Sequence, residues 1–300
     1  MADLDRNRAQ RLMQAAGIDA LILFSPEAFR HATGAAPGVG VMWRREGAVA
    51  ALIPADPGLP ETAIVSDLFV PAFRRTSAIT DIRVNPIWVE AMALPDPVPD
   101  APAAPQFAAL WHSADRPAGN ARPETFDAAV CYRHLRAALA ERGLGSARIG
   151  VELAAVSARG YPALAEVLAP AKLVDGTGVA RGLRAVKSAA EIAHLRAAVT
   201  LAEAGIAAVR DAIAPGVSRS ALATVWRETV RAGGAGQPLS GDWEYISVGA
   251  DPWGGDATAR AGDLVKVDVG CVMEGYTSDT GRTFVVGSPN RLQTDLYAAL

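Results

Sequence analysis

Gly262-Asp-Leu-Val-Lys-Val-Asp268-Val-Gly270, followed by Gly275-Tyr-Thr-Ser-Asp279-Thr-Gly-Arg282-Thr-Phe284, is the stretch on which the reading of the whole chain turns. Val265, Val267 and Val269 alternate with Leu264, Lys266 and Asp268, and Tyr276 to Val286 is rich in β-branched and aromatic residues. Both halves are therefore expected as short strands. Between them Met273-Glu274-Gly275 is hairpin-sized and offers a glycine for φ > 0. With Met273 and Glu274 as the loop residues, Asp268 sits directly opposite Asp279, and a bulge at Gly275 shifts that pairing by one. Like charges opposed across strands are destabilising, and two carboxylates a few ångströms apart do not both stay ionised unaided. A shared proton or a cation held between them resolves the conflict. The cation is favoured, because hard or borderline divalent ions bond carboxylate oxygens at about 2.0–2.2 Å. The alternative is a solvent-facing hairpin with incidental acids.

Gly262-Asp263, Asp268-Val-Gly270, Gly275-Tyr276, Ser278-Asp279 and Arg282-Thr283-Phe284 together resemble the metal-binding hairpin of the pita-bread family of prolidase, aminopeptidase P, methionine aminopeptidase and creatinase. The resemblance implies that Asp268 and Asp279 bridge two divalent ions, usually manganese, cobalt or zinc. Arg282, three residues after Asp279, is expected near the site, orienting a carboxylate, or else in a salt bridge within the sheet. Lys266 is expected on the same strand face as Asp268.

The totals fit this picture. Three hundred residues suit two domains, and a hydrophobic share of 50% supplies real cores. A net charge of −3 and a pI near 5.9 give no electrostatic footprint for nucleic acid, so the partner is expected to be a small peptide or amide. Met1-Ala-Asp-Leu-Asp-Arg is acidic where a secretory leader is basic, and no apolar run reaches membrane-spanning length, so a cytoplasmic protein without a membrane partner is expected. Cys131 and Cys271 suggest no disulfide framework, and Cys271 is expected to be buried and inert.

In chain order, the sequence predicts a helix over 4–16 closed by Gly17, a strand over 18–24, and a helix capped by Ser25 with Pro26 at its first position. Strands are expected at about 39–53, 61–66 and 81–89, with a helix at 67–75. Residues 91–125 carry seven prolines and are expected to lack regular structure, although Phe107, Leu110 and Trp111 suggest that the segment packs on something. A helix at 125–142, a strand at 147–152, a helix at 157–168 and a strand near 171–175 complete an α/β domain over 1–180. This half is similar to the N-terminal domain of the creatinase and aminopeptidase P branch, including Gly17-Ile-Asp-Ala-Leu21 and Ala32-Thr-Gly34.

Residues 181–300 form the second domain, which the resemblance makes the first half of a pita-bread catalytic domain. Ser188 and Glu191 make a capping box. Ile192, Leu195, Val199, Ala202, Ile206, Val209 and Ile213 are the expected buried stripe of a long helix. A second helix follows Ser218, and Tyr245–Gly249 is expected as a short strand. The loop Asp251-Pro-Trp-Gly-Gly-Asp256 leads into the hairpin, and Trp253, Asp251 and Asp256 are its candidate substrate contacts. Much of the family has a pocket histidine about here. This chain has only His31, His112, His134 and His194, and the last is expected to pack or face solvent.

The family's remaining ligands, a histidine and two glutamates, come from a second α-β half, so the chain is expected to be a fragment whose catalytic domain is incomplete at its C-terminus. The leading functional expectation is a metallohydrolase cleaving next to proline, with Arg282 and Trp253 as catalytic candidates and a homodimer implied by the resemblance. A creatinase-like, metal-independent C–N hydrolase and a non-catalytic binding or scaffold protein on the same fold are the alternatives. The missing histidine and the uncompensated aspartates both argue against the metal-independent route.

Overall fold

The computed structural model describes residues 3–85, 98–113, 127–250 and 255–300. The chain forms two compact units, Met1–Val186 and Lys187–Leu300.

In the first unit the elements run α1 (Arg6–Ala16), β1 (Ala20–Leu23), α2 (Pro26–Thr33), α3 (Val39–Trp43), β2 (Ala50–Pro54), β3 (Thr62–Ser66), α4 (Val70–Thr76), β4 (Asp81–Asn85), α5 (Ala103–Ser113), α6 (Ala128–Glu141), β5 (Arg148–Val151), α7 (Gly160–Leu168), β6 (Lys172–Asp175) and α8 (Thr177–Ala185). The six strands lie in the order β4-β3-β2-β1-β5-β6, antiparallel at β1/β2 and β2/β3 and parallel elsewhere. A mixed sheet of this kind needs both faces covered, which is why β1 reads as an unbroken apolar run. Leu21 and Leu23 enter one core with Met13, Phe29, Phe73 and Leu183, while Ala20 and Ile22 enter the other with Tyr132, Leu135 and Leu164. The expected caps are in place: Gly17 closes α1 at φ 62°, and Ser25 Oγ accepts from Ala28 N at 3.2 Å at the start of α2.

Several expectations are corrected. Val39–Trp43, expected as the start of a strand, is a short helix, packed so closely that a Cβ on Gly40 would lie 2.9 Å from Val49. The proline-rich segment contains the helix α5, since Pro105 falls in its first turn, where a missing N–H costs nothing. Phe107 in that helix is half exposed. The side chains of Leu110 and Trp111, and what is expected of 86–97 and 114–126, lie outside the described residues. Helix α8 lies in the first unit, with Leu183 in the core and Gly182 O accepting from Arg8 Nη2 at 2.8 Å, and the two units divide at Val186/Lys187.

The second unit comprises α9 (Ala189–Ala212), α10 (Arg219–Gly233), β7 (Leu239–Val248), β8 (Leu264–Met273), β9 (Tyr276–Thr277), β10 (Thr280–Val285) and α11 (Arg291–Ala298). Its antiparallel sheet has the order β10-β8-β7, with β9 also on β8, and α9 and α10 cover one face. The capping box is present: Glu191 N donates to Ser188 Oγ at 3.2 Å, and Ser188 N donates to Glu191 Oε2 at 2.7 Å. The buried stripe of α9 is Glu191, Ala198, Leu201, Ala202, Gly205, Ile206 and Val209, and Ile192 and Val199 are exposed. A Cβ on Gly205 would lie 2.5 Å from the Trp226 ring, so the small residues, not the largest ones, set the contact face. The expectation that no apolar run reaches membrane-spanning length is corrected too, because α9 meets that test by length and composition. Its stripe is packed against α10 and β8.

Candidate metal centre

The hairpin turns at Glu274–Gly275, with φ of 50° and 78°, and Met273 pairs with Tyr276. Positive φ at both loop residues is the geometry of a type I′ turn, whose twist matches that of the strands. The loop is thus one residue later than expected, and Asp268 pairs with Gly281 rather than Asp279. The pairs Val272–Thr277 and Val269–Thr280 bracket the gap between β9 and β10 and bring Asp279 alongside Gly270. The direct opposition of the two acids is therefore corrected to a diagonal, with both on the same face of the sheet by register. Diagonal positions stand about 7–8 Å apart, which relieves the like-charge clash and leaves space for an ion between the carboxylates.

Burial identifies that face. Val265, Val267, Val269, Cys271 and Met273 are buried against the helices, whereas Lys266 is exposed and Asp268 partly so. Burial, with Asp242 adding to it, pushes the Cys271 thiol up to about 11, which keeps it protonated and inert. Strand β7 adds Tyr245 opposite Asp268, Trp243 opposite Gly270 and Ser247 opposite Lys266 on the acid face. The Trp243 and Tyr245 rings stand 5.8 Å apart. These aromatics were not marked as site residues from sequence. The alternation of Trp243, Tyr245 and Ser247 was the available signal, hidden because the strand was expected to start at Tyr245 and begins at Leu239.

The other candidates fall elsewhere. Arg282 pairs with Val267, on the helix-covered side, and its Nη2 donates to Glu203 Oε1 of α9 at 2.8 Å. The expectation that it lies beside the acids is corrected by strand parity. Asp256 is occupied as a clamp on the start of α10: its carboxylate accepts from Ser220 N and Ser220 Oγ, both at 2.7 Å. Those bonds hold its carboxyl below the usual range. Asp251 and Trp253 lie outside the described residues. His194 stacks on Tyr276, ring centroids 5.5 Å apart, and Tyr276 OH donates to Glu191 Oε1 at 3.0 Å.

Among the described residues, no three His, Cys, Asp or Glu side chains form a ready-made metal site. Two oxygen-donor carboxylates on one face match a hard or borderline divalent cation in kind, and supply part of the ligand set such an ion takes.

Comparison with known proteins bears on the same regions. The Creatinase/Prolidase N-terminal domain profile matches residues 6–186, and that of metallopeptidase family M24 matches residues 193–300. An Xaa-Pro dipeptidase of Pyrococcus horikoshii is 32% identical over 125 residues, 40% of this chain and 35% of that protein. An uncharacterized hydrolase/peptidase of Sinorhizobium fredii is 30% identical over 179 residues, 57% of this chain and 44% of that one. The chain thus spans less than half the length of the curated relatives it matches. The solved Xaa-Pro dipeptidase of Bacillus anthracis shares the fold with a TM-score of 0.69 at 18% identity, covering 98% of this chain and 67% of its own. With residues 6–186 matched by the creatinase/prolidase N-terminal domain and 193–300 by metallopeptidase family M24, the chain belongs to the creatinase and prolidase group of that family and shares the α/β fold of its pita-bread members over the part it spans.

Proposed function

We propose that the protein is a metal-dependent peptidase of the Xaa-Pro dipeptidase type, in which Asp268 and Asp279 bridge two divalent ions. The observation that carries this reading is the hairpin register, which assigns the two acids to one face at a diagonal spacing. The relatives named above support the substrate class, a peptide or amide C–N bond next to proline. Divalent ions held there supply activation of water near neutral pH and polarisation of the scissile carbonyl. The chain's own residues do the rest. Lys266, on the acid face, offsets the mutual repulsion of the carboxylates. Trp243 and Tyr245 wall the same face and give an apolar surface on which a substrate side chain packs. A homodimer is part of the same reading, on the resemblance alone.

Elemental analysis of the purified chain, alongside an Asp268→Asn variant, tests the proposal. The expected result is up to two divalent ions per chain in the parent and none in the variant, with hydrolysis of an Xaa-Pro dipeptide lost wherever the parent shows it. Hydrolysis that survives in Asp268→Asn, or that resists chelators, would overturn the assignment.

A further inference from the structure

The β9–β10 edge is broken for two residues, Ser278 and Asp279, although the register on either side runs through without an inserted residue. Something at Ser278 takes the chain out of the ladder and returns it. Ser278 N donates to Cys271 O at 2.9 Å, as an ordinary antiparallel partner does. The return bond is not ordinary: Cys271 N donates at 3.0 Å to the Ser278 hydroxyl, in the place that the Ser278 carbonyl takes in a regular pair. The carbonyl is turned aside over Gly270, where a Cβ would overlap both the Ser278 oxygen and the Trp243 indole. Gly270 belongs to the acid face of β8, so the displaced carbonyl leans toward that face.

We propose that Ser278 is a positioning residue for Asp279, its hydroxyl substituting for a backbone acceptor so that the peptide between residues 278 and 279 can rotate and aim the aspartate. The inference rests on the reading of Asp279 as a metal ligand. The physical driver is the Cys271 amide. It is buried at the centre of the sheet and must find an acceptor, because an unsatisfied buried N–H is costly. While the hydroxyl accepts, the 278 carbonyl is free to swing. Without the hydroxyl the amide recaptures the carbonyl and the strand regularises; Asp279 keeps its face by register but loses the tilt that the rotated peptide gives it. Ser278 is only 3% exposed, so solvent is a poor substitute for the hydroxyl. Gly270 is the second half of the device, because any side chain there closes the space into which the carbonyl turns.

Titrating the full chain with cobalt(II) chloride, followed by calorimetry and by the visible absorption of bound cobalt, tests the proposal against Ser278→Ala, Ser278→Thr, Gly270→Ala and Asp279→Asn. Ser278→Ala is expected to weaken cobalt affinity at least tenfold with a thermal midpoint close to the parent's. Ser278→Thr, which keeps the hydroxyl, is expected to recover most of it, and Gly270→Ala to reproduce the loss. Affinity in Ser278→Ala within twofold of the parent, while Asp279→Asn abolishes binding, would overturn the positioning role and leave the metal reading standing. A parent chain that takes up no cobalt, or one whose binding Asp279→Asn does not change, would overturn both.

Discussion

Arg282 and Asp268 were both marked from sequence as residues of one site, and strand parity separates them. The sequence shows the interval from Asp268 to Asp279 plainly, and it shows Arg282 three residues on, but it does not show which residues make the turn. Glu274 occupies a left-handed conformation at φ 50°, a position where turn chemistry favours Asn, Asp or Gly, so a loop of Glu274–Gly275 was not the natural choice. Moving the loop by one residue shifts the pairing by two. A two-residue shift preserves the face on which every side chain lies, whereas a one-residue slip exchanges the faces. The acids therefore keep their common face, while Arg282 keeps the opposite parity and meets Glu203. That pair is about half exposed on both sides, and pairs of this kind contribute about 0–1 kcal/mol. Arg282→Ala is accordingly expected to lower stability by no more than ~1 kcal/mol in urea denaturation and to leave cobalt affinity as it is in the parent. Loss of cobalt binding in Arg282→Ala would contradict the assignment of faces.

Helix α9 shows what periodicity can and cannot deliver at the level of an element. Its start and its length were legible, because Ser188 and Glu191 spell a capping box and apolar residues recur at intervals of three and four. The face was read a notch off, because apolar counting gives Ile192 and Val199 weight that close packing does not. Where Trp226 of α10 lies against α9, only Gly205 fits, and the stripe rotates toward Ala198, Ala202 and Gly205. The proline-rich segment fails the opposite way: proline was counted as a breaker, but near a helix start it is tolerated. The first turn of α9 also ties the hairpin down. Glu191 is 2% exposed, its Oε2 accepts from Ser188 N, and its Oε1 accepts from Tyr276 OH. Tyr276→Phe retains the ring that stacks on His194 and removes only the hydroxyl, leaving a buried carboxylate oxygen with one donor fewer. The expected cost is about 1–3 kcal/mol in chemical denaturation, since hydrogen bonds to charged groups are among the stronger ones. A change smaller than ~0.5 kcal/mol would show that the hairpin is not anchored through this bond.

The two units differ in how their sheets are protected. In the first, helices cover both faces, and β4, the outermost strand among the described residues, carries a charge cluster: Asp81 accepts from Thr62 Oγ1 at 2.6 Å, from Arg142 Nη2 at 2.7 Å and from Arg83, which also pairs with Glu141. In the second, helices α9 and α10 cover one face and the acid-bearing face carries Tyr245 and Leu264 exposed to solvent. That asymmetry was legible only in part. Alternation along β8 announced a one-sided strand, and the unbroken apolar run of β1 a two-sided one, but nothing local in sequence announced that Asp81, Arg83 and Arg142 would meet across 61 residues. Charged pairs at that separation follow from the sheet order, which no local pattern of residues encodes. The cluster also sets how the first unit responds to acid. Burial would raise the Asp81 carboxyl, yet the hydrogen bonds from Thr62, Arg83 and Arg142 and the charge of Arg83 outweigh it, and the carboxyl is held below its usual range. A carboxyl depressed in the folded state contributes stability that is full above its unfolded pKa, near 4, and is lost as the pH falls through the folded value. Asp81→Asn is therefore expected to cost about 1–3 kcal/mol in urea denaturation at pH 7, with Arg142, only 5% exposed, losing its ionised partner. The gap between parent and variant is expected to close progressively below about pH 4, as the parent's carboxyl takes up its proton and the two side chains become alike in charge. A gap of constant size from pH 7 to pH 3 would assign the cost to packing instead of charge.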